Sequence, residues 1–159
     1  MKEIRAHVGH GTVVLNSKEI QDIVENNSYF DDVIDISHSI YEDDILAYQV
    51  KFDSSLLEKE VEKDLEEEAY MLEDDEDVYN SVLVEQAEYF IDATVDEIKD
   101  RIETRYHISN VGSAYDVYDD SGHGDHIGFV LTLSFGSADY TRLHEITNSV
   151  LDKHYTKLQ

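Results

Sequence analysis

Within "YDDSGHGDHIG", Tyr118 to Gly128, three carboxylates (Asp119, Asp120, Asp125) and two imidazoles (His123, His126) share eight residues. Near the other end, "HVGHG" repeats the His-x-x-His spacing with His7 and His10. Imidazole is a common neutral nitrogen ligand, and zinc takes three or four N or O donors at about 2.0–2.2 Å. If the two loops lay side by side, they would supply the ligands of a small metal-dependent enzyme. Glycine, aspartate and serine are equally the residues of turns. The His-x-x-His spacing gains specificity only from a helix, a downstream ligand or cysteine partners. Neither "DDSGHGDHIGFV" nor "DDEDVYNSVLVE" has the oxygen ligands and glycine of a calcium loop. The chain has no cysteine and no G-x-S-x-G elbow, and its acids are too many for any pair of them to be informative. The residues therefore read as turns, with no catalytic group, no metal ligand and no cofactor expected.

The denser signal is "EKEVEKDLEEEAYMLEDDED", Glu58 to Asp77, with twelve acids against two lysines. If Leu57, Val61, Leu65 and Leu72 form the buried stripe, a wheel of about 100° per residue turns Glu60, Glu66, Glu67, Tyr70 and Asp74 outward. Glu62 and Glu73 flank that face, and Asp75, Glu76 and Asp77 continue the run. An i,i+4 pair such as Lys63 with Glu67 returns only a few tenths of a kcal/mol. Carboxylates about 5–6 Å apart along a helix fall close to the spacing of neighbouring phosphates on one nucleic-acid strand. A charge run is often just a solvated face, but here it sits in a chain of 37 acidic and 12 basic residues with a formal charge of −25. These ten residues are the candidate partner-binding surface. Smaller acidic knots with tyrosine occur at "YEDD", Tyr41 to Asp44, and at "YDD", Tyr118 to Asp120.

Such an excess of negative charge excludes direct binding of DNA, RNA or an anionic membrane, which need Lys and Arg to displace counterions. It favours association with basic partners. No apolar run approaches a membrane span, and a cytosolic protein is expected. At 159 residues the chain has the size of a single domain, 1–159.

The elements that must position these groups follow from periodicity. Ile4, Ala6 and Val8 alternate ahead of "TVVL", which predicts an opening β-hairpin. Asn16 with Glu19 predicts a helix start, and Ser55 with Glu58 predicts another. "ILAYQVKF" alternates Leu46, Tyr48, Val50 and Phe52 as a strand with one buried face, while segment 28–44 carries no clear period. Helical spacing over 55–73 and from Leu83 to Tyr106 predicts a long helical hairpin. "SAYDVY" and "IGFVLTLSF" read as a second β-hairpin, and about 138–156 as a last helix. The expected class is α+β: an antiparallel sheet of about five short strands, with the helical hairpin and two further helices packed on it.

In size, acidity, absence of Cys and Trp, and Ile/Asn/Tyr/Lys-biased composition, the chain resembles the anti-CRISPR proteins that phages direct against the type II RNA-guided DNA endonuclease. The resemblance implies a non-enzymatic inhibitor in the host-cell cytosol. Its partner would be a basic protein, a CRISPR nuclease or its guide-RNA complex. It would act by occupying the DNA channel in the manner of a DNA mimic, or by covering the HNH nuclease domain. The alternatives from other classes are the metal-dependent enzyme above and a structural or regulatory phage domain.

Overall fold

The structure is a computed structural model that describes residues 1–8, 11–26, 29–67, 76–118, 126–136 and 139–154. Strands β1 (Glu3–Val8) and β2 (Gly11–Asn16) form the opening hairpin, with Ile4 opposite Leu15 and Ala6 opposite Val13. Helix α1 (Ser17–Glu25) follows at once. Its N-cap is Asn16, whose Oδ1 accepts from the Glu19 amide at 2.8 Å. The Glu19 carboxylate does not return to Asn16 as a capping box would require, and instead accepts from Tyr106 Oη at 2.9 Å.

Segment 28–44, without a clear period in the sequence, contains a short strand, β3 (Asp32–Asp35), and a 3-10 turn at Ser37–Ser39. With β4 (Ile45–Asp53), β5 (Gly112–Tyr118) and β6 (His126–Ser134) it makes a four-stranded antiparallel sheet in the order β3-β4-β6-β5. Where about five strands in one sheet were expected, the described residues form six, in two sheets. The α+β class stands.

Strand β4 is buried on both faces, not one. Leu46, Tyr48, Val50 and Phe52 point into a large core shared with α1, the opening hairpin and the long helix α3 (Glu76–Tyr106). Ile45 and Ala47 point the other way, into a second core closed by α4 (Tyr140–His154) through Leu143, Ile146, Val150 and Leu151. Alternation in the sequence exposes the first face, whereas burial of the second depends on a helix nearly a hundred residues downstream. The larger core is centred on aromatic edges: Phe52 meets Phe90 at 4.9 Å between centroids, and Phe129 meets Phe30 at 5.7 Å and Tyr115 at 6.1 Å. The Phe52–Phe90 pair is tilted and the other two are edge-to-face, and aromatic pairs of this kind add about 0.5–1.5 kcal/mol each beyond the area buried.

The smaller core admits polar groups only in pairs. Thr132 Oγ1 and Thr147 Oγ1 lie 2.6 Å apart, and Gln49 Nε2 donates to Tyr118 Oη. Among the described residues no buried side-chain N or O lacks a partner, as a low-dielectric interior demands. Tyr118 and Gly128 are opposite each other in the β5–β6 register. A Cβ on Gly128 would stand 2.6 Å from the Tyr118 ring, so glycine lets the ring lie flat across the strand. Helix α2 (Glu58–Glu67) is entered through a 3-10 turn, Ser54–Leu57. That turn is capped by Asp53, whose Oδ1 accepts from the Ser55 amide at 2.9 Å, where the sequence pointed to Ser55 as the cap. No helix among the described residues is long and apolar enough to cross a membrane.

Candidate functional site

Of the ten residues expected to form the acidic surface, Glu60 and Glu62 are exposed on α2, on either side of buried Val61. Glu66 and Glu67 lie in the last turn of α2, and Glu76 and Asp77 are the first residues of α3. Tyr70, Glu73, Asp74 and Asp75 fall outside the described residues. Helix α2 packs against α3, so Glu60 and Glu62 stand on a supported element.

Sequence reasoning missed a second acidic row, on α3 itself. This helix runs 31 residues without glycine or proline, a length of about 46 Å. Val82, Ala87, Ile91, Val95, Ile98 and Ile102 are buried and fix its orientation. The helix ends at His107, which takes the left-handed conformation at φ 55° that glycine usually fills. The following amide, Ile108, bonds back to the Glu103 carbonyl at 3.1 Å and closes the last turn.

With the inner face so fixed, Glu85, Glu88, Asp92, Asp96 and Glu103 recur at three-, four- and seven-residue intervals on the outer side, with Lys99 among them and Asp100 beside them. The row extends about 27 Å along the helix. Glu85, Glu88, Asp92, Asp96 and Asp100 are exposed, and Glu103 is half-buried. None of the described ion pairs involves this row. The signal is present in the sequence as acids at helical spacing, though at lower density than in the run at 58–77.

Two open clefts lie against the row. One, of about 390 Å³, is lined by Glu88 and Asp92 of α3, Tyr115 and Asp116 of β5, and Tyr140 and His144 of α4. Tyr115 Oη donates to the Glu88 carbonyl oxygen at 3.2 Å, and Tyr140 stacks on His144 at 5.8 Å between centroids. Burial, the hydrogen bond to Asp92 and the nearby Asp92 and Glu88 charges push the Tyr115 phenol well above its usual range, so it stays neutral and donating. The other cleft, of about 490 Å³, lies between Asp96, Lys99, Asp100 and Glu103 of α3 and the chain at Asn110 and Val111. Carboxylates beside aromatic ring faces are the surroundings that an ammonium or guanidinium group prefers.

The histidine loops fare differently. His10 and His123 fall outside the described residues, as do Asp119, Asp120 and Asp125. His7 Nδ1 lies 3.4 Å from Thr12 Oγ1 within its own hairpin. His126 begins β6 and has Asp31 and Asp53 as its acidic neighbours. Of the acidic knots, "YEDD" is partly neutralised: Arg142 Nη2 bonds Glu42 Oε1 at 2.7 Å, while Tyr41 is 95% exposed.

Comparison with known proteins finds no family model, no curated protein and no solved structure that matches this chain.

Proposed function

We propose that this protein is a non-enzymatic inhibitor that binds a basic nucleic-acid enzyme, an RNA-guided DNA nuclease of the CRISPR type, and prevents it from binding or cleaving DNA. The observation that carries the reading is the acidic row on α3, held rigidly by the large core and set in a chain of net charge −25. Carboxylates one helical turn apart follow each other at about 5–6 Å, near the step between phosphates of a strand. A groove built to hold a phosphate backbone presents Lys and Arg at matching intervals, and the cleft at Glu88, Asp92, Tyr115 and Tyr140 suits such a side chain between carboxylates and rings. Glu60 and Glu62 of α2 extend the same acidic character to the neighbouring helix. The site of action on this reading is the cytosol of the infected cell.

The test is a cleavage assay with a purified guide-loaded type II nuclease and increasing amounts of this protein. Inhibition near stoichiometric ratio is expected, with association slowing as salt rises, because exposed charges are screened beyond about 8 Å at physiological ionic strength. Full cleavage at a large molar excess of the protein, together with no complex on gel filtration, counts against the proposal for that nuclease class.

A further inference from the structure

At one end of the four-stranded sheet, three strands bring together donors that the sequence separates widely. The last rung of the β4–β6 ladder pairs Asp53 with His126. Asp31 stands immediately before β3, its amide fixed to the Lys51 carbonyl at 2.9 Å. His126 Nε2 lies 3.7 Å from Asp31 Oδ2, and one ligand atom from each of Asp31, Asp53 and His126 falls within 4.8 Å of the others. The backbone of all three is set by sheet hydrogen bonding, while the Asp31 and His126 side chains are about half exposed and free to adjust.

We propose that Asp31, Asp53 and His126 bind one divalent transition ion, zinc foremost, with water completing its coordination. One imidazole nitrogen with two carboxylate oxygens is a donor set of the zinc type, and its bonds of about 2.0–2.2 Å put neighbouring ligand atoms roughly 3.3 Å apart. Small rotations of exposed side chains close the present spacing to that value. One Asp53 oxygen already accepts from the Ser55 amide, which orients the carboxylate as outer hydrogen bonds do in metal sites. A cation also removes the repulsion between two carboxylates brought together in an already acidic chain. The site differs from the pairing of two His-x-x-His loops: it uses one histidine and ties β3, β4 and β6 together at their shared end. It is independent of the inhibitor reading, and its role is to hold that end of the sheet.

The test uses the full chain, stripped with chelator, dialysed, and titrated with zinc chloride by calorimetry in excess magnesium at about 0.2 M salt, where loose counterion binding is screened. Saturable binding near one equivalent is expected, with a zinc-dependent rise in melting temperature. His126→Ala should weaken zinc binding at least about tenfold, and adding Asp31→Asn and Asp53→Asn should abolish it. Asp53→Asn retains an acceptor for Ser55, and a melting curve of the metal-free variants checks that each is folded. Should the triple variant not fold, His126→Ala alone decides. An unchanged isotherm in His126→Ala, or no saturable binding by the parent, overturns the proposal.

Discussion

Acidic residues are treated in two ways in this molecule. Around the β3–β4 connection and α4 they are compensated: Arg142 spans Glu42 and Glu145, and Lys2 Nζ donates to the carbonyls of Ile40, Glu42 and Ile45. Asp35 accepts from the Ser37 amide at 2.9 Å. Along α3 the acids stand in a row that none of the described ion pairs touches. The difference is one of need. A connection without regular backbone pairing must find partners for its carbonyls and carboxylates among side chains. A long helix satisfies its own backbone and is held by its apolar face, so few of its outer carboxylates serve the backbone; Glu103, whose Oε1 accepts from the Val111 amide at 3.2 Å, is one that does. Lys2 and Arg142 serve the connection, whereas Lys99, the one cation within the α3 row, leaves that face strongly acidic and able to attract a partner's cations.

The largest expected effect comes from reversing that free face. Glu88→Lys, Asp92→Lys and Asp96→Lys together should weaken inhibition of the nuclease by at least about 100-fold at moderate salt, or about 3 kcal/mol. The melting temperature should hold or rise, because charge reversal on an exposed acidic face relieves repulsion. The comparison row is Glu60→Lys, Glu62→Lys, Glu66→Lys and Glu67→Lys on α2. If this set abolishes inhibition and the α3 set does not, the contact lies on the helix that sequence reasoning chose first.

Next comes the compensated side. Lys2→Met retains the aliphatic stem and deletes three hydrogen bonds to carbonyl oxygens. A loss of about 2 kcal/mol is expected, some 4–8 °C in melting temperature. Burial pulls the Lys2 ammonium below its usual pKa, against the opposing fields of Asp43, Glu42, Asp44 and Asp35. Inhibition by the folded variant should be unchanged. A strong loss of inhibition without a loss of stability would show that the two regions do not divide their tasks as described.

Much of this organisation was legible in advance. The opening hairpin, the Asn16 cap, β4, the β5–β6 hairpin and the long helix follow from alternation and helical spacing of apolar residues. The short strand β3 was not, because four residues with Val33 alone buried carry too little period to read. The second buried face of β4 was hidden for another reason: Gln49 and its neighbours look solvent-facing until Tyr118 and α4 cover them. For the site, the sequence draws the eye to density of charge, and the described residues add geometry. The run at 58–77 holds more acids, but the α3 row is the one whose spacing and support the described residues display. The meeting of Asp31, Asp53 and His126 is a tertiary contact between separate strands, and no local pattern encodes it.

Acid should distinguish the regions more gently. Asp35 is partly buried, which alone would raise its pKa, yet hydrogen bonds from Ser17 and from the Ser37 amide and hydroxyl hold it below the usual carboxylate range. Its folded value therefore lies below its unfolded one. The stability it contributes is complete above the unfolded pKa of about 4 and is lost as pH falls through the folded value. Melting curves of Asp35→Asn and the parent should differ most near neutrality and converge in strong acid. A constant gap at every pH would mean that the Asp35 charge carries no part of the difference.

The smallest effect is expected at Arg142. Its guanidinium lies 2.7 Å from Glu42 Oε1 and 3.5 Å from Glu145 Oε2, but its side chain is 56% exposed and that of Glu145 63%. Water screens such pairs, and holding two long side chains together costs rotamer freedom, so an exposed pair nets about 0–1 kcal/mol. Arg142→Ala should lower the melting temperature by no more than about 2–4 °C, and less at high salt. The comparison between regions makes this small number informative. If cations on the compensated side act by filling the hydrogen-bonding needs of the backbone, Lys2, which reaches three carbonyls, must matter more than Arg142, which reaches only carboxylates. If they act by neutralising net charge, the two substitutions remove one positive charge each and should cost the same, with equal salt dependence. Melting curves of Lys2→Met and Arg142→Ala across a salt series separate these accounts. Equal losses that shrink together with added salt would leave charge balance, not backbone satisfaction, as the reason the acids are treated in two ways.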